Sequence, residues 1–451
     1  QRNHKGKLSS CYDVIVIGAG VVGCAMARQF TLEGASVLVI EKATDILEGA
    51  SKGNSAILHT GFDAPPDSVE HSCIVDSYQA FLSIRKKLKL PLLKTGALVV
   101  AWTGQEEAQL EGILQKAFIN GVDDACLIGA QEILRKEPQL SSAVKAAVHI
   151  PGEYVIDPWT TPYVLMLQAI RNGATLRCST EVTGGEFDGE AWTISTDKGN
   201  FTGTTVINCA GLYGDKLDRM LIKQPAFEIR PRKGQFIVYD KAASHLLSSI
   251  ILPVPSETTK GIVVCRTIFG NVLVGPTADE QQSREDTSVD KETLEALQQK
   301  GREIIPALAD QPITATYAGI RPATQYKDYC IKYYPETRYI SVGGIRSTGL
   351  TSALGIAKRV FGEYQQAGHK CEPRPEAGMP ELSPIAETET RDWQLEGNDG
   401  IVCHCELVTR REIKQALGGE MPATSLSGLK RRTRVTMGRC QGFYCSEQLS
   451  E

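Results

Sequence analysis

Residues Val14-Ile-Val-Ile-Gly-Ala-Gly-Val-Val-Gly-Cys-Ala-Met26 join an apolar run to Gly-x-Gly-x-x-Gly and then to a helical pattern. Few folds accommodate that order. Gly18 permits the tight turn out of a strand, Gly20 lets backbone approach a pyrophosphate, and Gly23 allows a helix to pack close to its strand. A phosphate placed there meets the unpaired N–H groups and positive end of the helix. Val37-Leu-Val-Ile-Glu41 then supplies a second strand ending in an acid, 18 residues after Gly23, where a ribose-binding carboxylate belongs. The spacing predicts a βαβ unit that binds an adenine dinucleotide.

The chain is 451 residues long, with 42% hydrophobic and 23% charged residues, enough for more than one globular core. A net charge of −4 gives no reason to expect nucleic acid as a partner. No apolar run nears the ~18 residues of a membrane span, so no transmembrane segment is expected. The first eleven residues are basic and polar, without the apolar stretch of a secretory signal, and fit a presequence remnant or a fragment boundary equally. Thirteen cysteines, nine of them scattered and several in apolar runs, imply thiols in a reducing intracellular compartment, cytoplasmic or mitochondrial, rather than a disulfide framework.

Periodicity predicts helices over 69–88, 105–118, 158–172 and 353–366, and strands over 96–102, 174–178, 192–196, 204–211 and 339–343. Short strands at 234–240, 261–266 and 271–275 suggest an antiparallel sheet. The nucleotide domain is thus expected in three parts (about 12–75, 150–215 and 335–370). A mainly β substrate domain (about 76–149 and 216–334) is interleaved with it, making one region over 12–370. The proline-rich stretch 371–396 is expected to be a linker, and 397–451 a small separate module.

Asn54-Ser-Ala-Ile-Leu-His-Thr-Gly61, Asn208-Cys-Ala-Gly-Leu-Tyr-Gly-Asp215, Gly319-Ile-Arg-Pro322 and Gly343-Gly-Ile-Arg-Ser-Thr-Gly349 follow the glycine fingerprint in that order. Together they resemble FAD-dependent oxidoreductases of the D-amino-acid oxidase superfamily. Within it they are most like the branch of L-2-hydroxyglutarate dehydrogenases and glycerol-3-phosphate dehydrogenase-like flavoproteins. The resemblance implies an α/β Rossmann-like FAD-binding domain interleaved with an α+β substrate domain. It places Gly18, Gly20, Gly23, Glu41 and Lys42 at the adenosine diphosphate, and Ser51 and Asn54 along the pyrophosphate and flavin. Ala210 and Gly211 fall near the ribose. Gly344, Gly349 and Leu350 belong to a turn that aims a helix N-terminus at the flavin ring, where its dipole stabilises the reduced, anionic form.

His59 is the expected proton acceptor from a substrate hydroxyl, or else a flavin-binding or loop-fixing residue. Arg321 resembles the arginine that anchors anionic substrates in the branch, with a surface ion pair as the plainer alternative. Arg346 is either a second anchor or aimed at solvent. Two departures bear on the substrate. Asp63 stands where glycerol-3-phosphate dehydrogenases carry an arginine, and Ile345 where they carry a lysine. Losing two cations tips the expectation narrowly from glycerol 3-phosphate toward a small 2-hydroxy acid such as L-2-hydroxyglutarate.

At the C-terminus, Cys403-His-Cys405 and Cys440-Gln-Gly-Phe-Tyr-Cys445 give C-x-C, 34 intervening residues, then C-x4-C. This resembles the bacterioferritin-associated-ferredoxin-like 2Fe–2S module, with four thiolates as ligands; zinc is the alternative occupant. Lys430, Arg431, Arg432, Arg434 and Arg439 are expected to offset cluster charge, to dock an acidic partner, or to form a solvated face. The chain is therefore expected to be an FAD-dependent dehydrogenase oxidising a small anionic hydroxy compound and relaying electrons through the cluster. The acceptor is expected to be a protein, a quinone or another subunit of a dehydrogenase complex. Sarcosine-like amine oxidation and a purely electron-transferring flavoprotein subunit are the rival readings.

Overall fold

The computed structural model describes residues 11–450 except 256–260, 375–378 and 381; His4, the remainder of the basic leader and part of the expected linker lie outside them. The strand Tyr12–Ile17, apolar on both faces, runs parallel between Val37–Ile40 and Gly199–Asn208. Continuous Val/Ile content suits a strand covered on both sides. Register brings Ile17 level with Ile40 and Asn208, so three carboxyl ends open on one edge. A crevice there is where open α/β sheets bind ligands. Thr175–Arg177 extends the sheet beyond Val37–Ile40, and Tyr339–Gly343 lies parallel to Gly199–Asn208.

A second sheet of nine strands is built on Ile229–Tyr239 and Ile313–Thr324, antiparallel with Gly234 opposite Gly319 and Arg232 opposite Arg321. It is not wholly antiparallel, because Ile250–Pro253 runs parallel to Ala97–Ala101. Between the two large sheets lies a small one of Ile57–Leu58, Tyr154–Ile156 and Leu92–Leu93.

Most helices form where periodicity placed them, with shifts at the ends. The expected helix over 105–118 is two, Gly104–Glu107 and Leu110–Ile119. Thr103 caps the first of these in a capping box with Glu106. The helix Thr160–Arg171 starts two residues late because the buried Asp157 carboxylate accepts from the backbone N–H of Trp159 and Thr160. Described parts of the segment 371–396 pack against the rest of the chain: Ile385 and Ala386 are buried in a core beneath the nine-stranded sheet, and Arg374 donates to the Asn172 and Gly34 carbonyls.

The C-terminal module is a two-strand ladder, Ile401–Cys403 with Val408–Thr409, followed by the helices Arg410–Leu417 and Leu426–Thr433. Val402, Val408, Ile413, Leu429 and Val435 fill its core. Among the described residues no helix is long and apolar enough to cross a membrane.

Candidate functional site

The glycine turn has the shape a pyrophosphate needs. Gly18 has φ +105°, and a Cβ there would lie 2.4 Å from the Cys209 carbonyl oxygen. A Cβ on Gly23 would lie 1.9 Å from the Gly18 carbonyl oxygen. Only glycine fits either position. A Cβ on Gly20 would sit 3.0 Å from Ser51 Oγ, which itself accepts the Val21 N–H at 3.0 Å. Ser51 therefore stands at the first turn of the helix Val21–Leu32, beside the space a diphosphate would fill. Glu41 closes the other side: its carboxylate accepts from Ala19 N at 2.7 Å and Ala43 N at 2.8 Å, and burial pushes its pKa up. Lys42 lies over the Tyr213 ring at 3.4 Å. Ala210 and Gly211 lead into that same short turn, with Ala210 N donating to Asn208 Oδ1. These groups suit a dinucleotide cofactor.

Asn54 acts on its own loop: Nδ2 donates to the Ser51 carbonyl and Oδ1 accepts from Ala56 N, holding the turn open with Ala56 at φ +61°. Across the molecule, Gly344 at φ +71° turns the chain into the helix Gly349–Gln366, which Leu350 continues. No side chain caps that helix and no acid occupies its first turn, while the Glu70 carboxylate reaches Thr348 at its N-cap. Thr351 Oγ1 donates to the Ile57 carbonyl and accepts from His59 N, tying the helix end to the histidine loop.

His59 has a partner that sequence reasoning missed. Antiparallel register sets Leu58 opposite Tyr154, so the next residues outward, His59 and Glu153, face each other. His59 Nδ1 lies 2.8 Å from Glu153 Oε2, while Glu153 Oε1 accepts from Thr60 N and Thr60 Oγ1. Glu153 is 0% exposed. A buried carboxylate on one ring nitrogen fixes the tautomer with the proton on Nδ1 and makes Nε2 the basic atom. The nearest signal in the sequence was a lone acid before the strand Tyr154–Ile156, unreadable without the pairing.

Arg321 projects from the Ile313–Thr324 strand on the same face as Gly319 and Tyr317, two and four residues before it. That face lies against the cofactor loop: Tyr317 Oη donates to the Asn54 carbonyl, and a Cβ on Gly319 would touch the Gly53 carbonyl oxygen. The guanidinium donates twice to the Thr277 carbonyl at 3.2 Å, and among the described residues no carboxylate pairs with it. Burial, with Arg232 adding repulsion, pulls its pKa down to about 10. A half-buried cation held by one carbonyl is poised for an anion. Arg346 is not so placed. Its guanidinium donates to Glu70 Oε2 at 2.9 Å and to the Lys327 carbonyl, and Glu70 Oε1 accepts from Thr348, so the pair braces the turn before the helix.

The four C-terminal thiols line one cavity of about 390 Å³ together with His404 and Tyr444. They stand as two pairs, Cys403 with Cys445 and Cys405 with Cys440. Backbone N–H groups of Tyr444, Gly442 and Phe443 hold the Cys440 thiol below its ordinary value, whereas burial raises Cys403. Four converging sulfurs in one cavity suit a cluster. All thirteen cysteines are free thiols.

The basic residues expected to face solvent or a partner are mostly turned inward. Arg432 donates two hydrogen bonds to the Asp45 carboxylate at 2.6 and 2.8 Å, and Arg431 reaches Glu48 at 2.7 Å and the Ile46 carbonyl. Arg434 bonds Glu406 within the module at 2.8 Å and Asn271 of the substrate sheet, and Arg439 bonds Asp240. Asp45 and Glu48 belong to the loop between Glu41 and Ser51. The module is therefore clamped to the loop that serves the dinucleotide site.

Residues 13–361 match the family profile described as FAD dependent oxidoreductase, and residues 401–451 that of the BFD-like [2Fe-2S] binding domain. The chain is 31% identical over 448 residues to a glycerol 3-phosphate dehydrogenase of Caloramator mitchellensis, covering 98% of this chain and 93% of that protein. It is 27% identical to an L-2-hydroxyglutarate dehydrogenase of Indibacter alkaliphilus, over 59% of this chain and 68% of that one. Among solved structures, the dithionite-reduced L-alpha-glycerophosphate oxidase of Mycoplasma pneumoniae with FAD bound superposes with a TM-score of 0.76 at 27% identity, over 83% of this chain and 99% of that one.

Proposed function

The chain belongs to the FAD-dependent oxidoreductases and carries a BFD-like 2Fe–2S domain, and we propose that its substrate is glycerol 3-phosphate or a closely related phosphorylated secondary alcohol. The enzyme oxidises a hydroxy compound, FAD serving as hydride acceptor and the cluster as one-electron acceptor when bound. Of the two substrate classes expected from the sequence, the phosphate ester draws support from the match along almost the whole chain, against 59% for the hydroxyglutarate relative. The observation that carries the proposal is Arg321: a half-buried guanidinium without a carboxylate partner among the described residues, beside the cofactor loop.

In this reading the residues divide the work by position. Arg321 grips the phosphate and so aims the carbinol carbon. His59 Nε2 accepts the hydroxyl proton, Glu153 holding the ring in the matching tautomer and stabilising the imidazolium that results. The first turn of the helix Gly349–Gln366 supplies amide dipoles where negative charge develops on the far side. Arg346, paired with Glu70, keeps the Gly344 turn in shape and takes no part in binding. The partners proposed beyond the substrate are a redox protein or a quinone that collects electrons from the cluster.

Anaerobic titration with glycerol 3-phosphate, L-2-hydroxyglutarate and sarcosine, followed by loss of the oxidised flavin band, tests the assignment. Glycerol 3-phosphate is expected to bleach the flavin at the lowest concentration. Preferential bleaching by hydroxyglutarate would reverse the choice between the hydroxy substrates, and bleaching by sarcosine alone would replace it with amine oxidation.

A further inference from the structure

Two redox sites in one chain need a medium between them, and a continuous chain of contacts, half-buried at one end and buried at the other, lies at their boundary. Trp159 Nε1 donates to the Lys52 carbonyl at 3.2 Å, on the same turn as Ser51. The Trp159 and Phe269 rings stack at 5.4 Å and 14°. The Arg434 guanidinium lies 4.2 Å from the centre of the Phe269 ring, and its Nε bonds Glu406, the residue after Cys405. Three separate stretches of chain meet here: the cap of the helix Thr160–Arg171, the turn between the strands Val263–Arg266 and Val272–Gly275, and the cluster module. Phe269, Arg434 and Glu406 are all buried, and Asp157 pins the Trp159 backbone.

Aliphatic side chains would fill this space at least as stably, since a buried ion pair gains little over well-packed apolar groups of equal volume. Resting on the relay proposed between flavin and cluster, we propose that the Trp159–Phe269 stack, ending on Arg434, is the bridge through which electrons cross from the cofactor loop to the four-cysteine site. Each turnover takes two electrons and two protons from the alcohol. The electrons cross one at a time and pass to the external redox protein or quinone; the protons leave to solvent. Neither ring is itself oxidised or reduced. The rings supply closely packed matter for tunnelling, where a gap would leave no atoms to couple through. The Arg434 guanidinium neutralises the buried Glu406 carboxylate beside Cys405, which would otherwise oppose electron arrival at the cluster end.

The test uses the full chain loaded with FAD and cluster, reduced by whichever alcohol bleaches the flavin, with cluster reduction followed by freeze-quench EPR. Trp159→Leu and Phe269→Leu are expected to slow cluster reduction at least tenfold. Flavin bleaching, the cluster midpoint potential and amide exchange over 401–451 are expected to stay unchanged, and Trp159→Phe to restore most of the rate. Unchanged cluster reduction in both leucine variants overturns the bridge, as does slowing that appears only with faster amide exchange in the module, which would make the stack a docking contact. Wild-type protein whose bleached flavin never reduces the cluster overturns the relay itself, and the bridge with it.

Discussion

Glu153 Oε2 lies 2.8 Å from His59 Nδ1, and the other oxygen of the same carboxylate holds the backbone and hydroxyl of Thr60. One fully buried acid thus fixes both the histidine ring and the loop that carries it. Replacing His59 with Asn is expected to lower the rate of flavin reduction by about 10²–10⁴-fold, the usual worth of a positioned base. Glu153→Gln keeps the contacts of the side chain and removes its charge. The imidazolium then loses its stabilising partner, the ring becomes less basic, and the acidic limb of the pH–rate profile moves to lower pH. A profile unmoved in Glu153→Gln, at whatever rate, would leave the carboxylate a purely structural brace.

Arg321 should govern binding more than turnover. Truncation to Ala removes charged hydrogen bonds worth ~1.5–3 kcal/mol, raising KM by roughly 10- to 150-fold with kcat much less affected. The half-buried guanidinium, even with its pKa pulled down to about 10, stays a full cation around neutral pH, so its grip on a phosphate should not change across that range. Arg346→Ala supplies the contrast. Its partner is Glu70, so the expected loss is in stability and cofactor retention, with KM nearly unchanged. Steady-state kinetics of the two variants side by side would decide the matter; equal KM effects would return Arg346 to the binding site.

How much of this was legible in the sequence follows from how local each signal is. The glycine fingerprint, Glu41 and the cysteine spacing are statements about neighbouring residues, and the crevice and the four-thiol cavity appear where they point. Glu153 was invisible because it meets His59 across 94 positions through strand register, which no local pattern reports. The basic run 430–434 was legible as charge but not as an interface. Its partners Asp45 and Glu48 lie some 380 positions away, and the only clue was complementary sign. The Glu70 partner of Arg346 was not legible because a turn's sequence does not show which way its side chains leave it.

The clamp between module and cofactor loop makes a sharp demand on Gly428, where a Cβ would lie 1.9 Å from Asp45 Oδ2. Gly428→Ala is therefore expected to push the module off the loop. Arg432→Ala should weaken docking by ~3–5 kcal/mol, since Asp45 would remain buried without its cation. The pH dependence has a definite sign. Burial alone would raise the pKa of Glu48 and of Asp240, but their arginines outweigh it and both lie below their ordinary values. Such carboxylates give their full stabilisation above the unfolded pKa and lose it as pH falls through the folded one. Docking should thus hold at neutral pH and fail below about pH 4. Amide exchange over 401–451 at stepped pH measures this, and a module equally protected at pH 3 and pH 7 would refute the clamp.

Separating the two redox sites is the task of the cysteines. Cys403 pairs with Cys445 and Cys405 with Cys440, so removing any one sulfur breaks a four-ligand set. Cys440 is the most informative choice: three backbone N–H groups hold it toward the thiolate, and it sits at the accessible lip of the cavity, whereas Cys403 is buried in the module core. Cys440→Ser is therefore expected to lose the cluster with the module still folded, and Cys403→Ser to loosen the module as well. In both, His59, Glu153 and Arg321 are untouched. Substrate should bleach the flavin at the wild-type rate, while electron delivery to a ferricyanide or quinone acceptor falls to whatever the flavin passes on directly. The two phases are read in one stopped-flow experiment, flavin absorbance first and acceptor absorbance second. Wild-type acceptor turnover in a Cys440→Ser protein shown by EPR to hold no cluster would mean that electrons leave from the flavin, and that the C-terminal module serves another purpose.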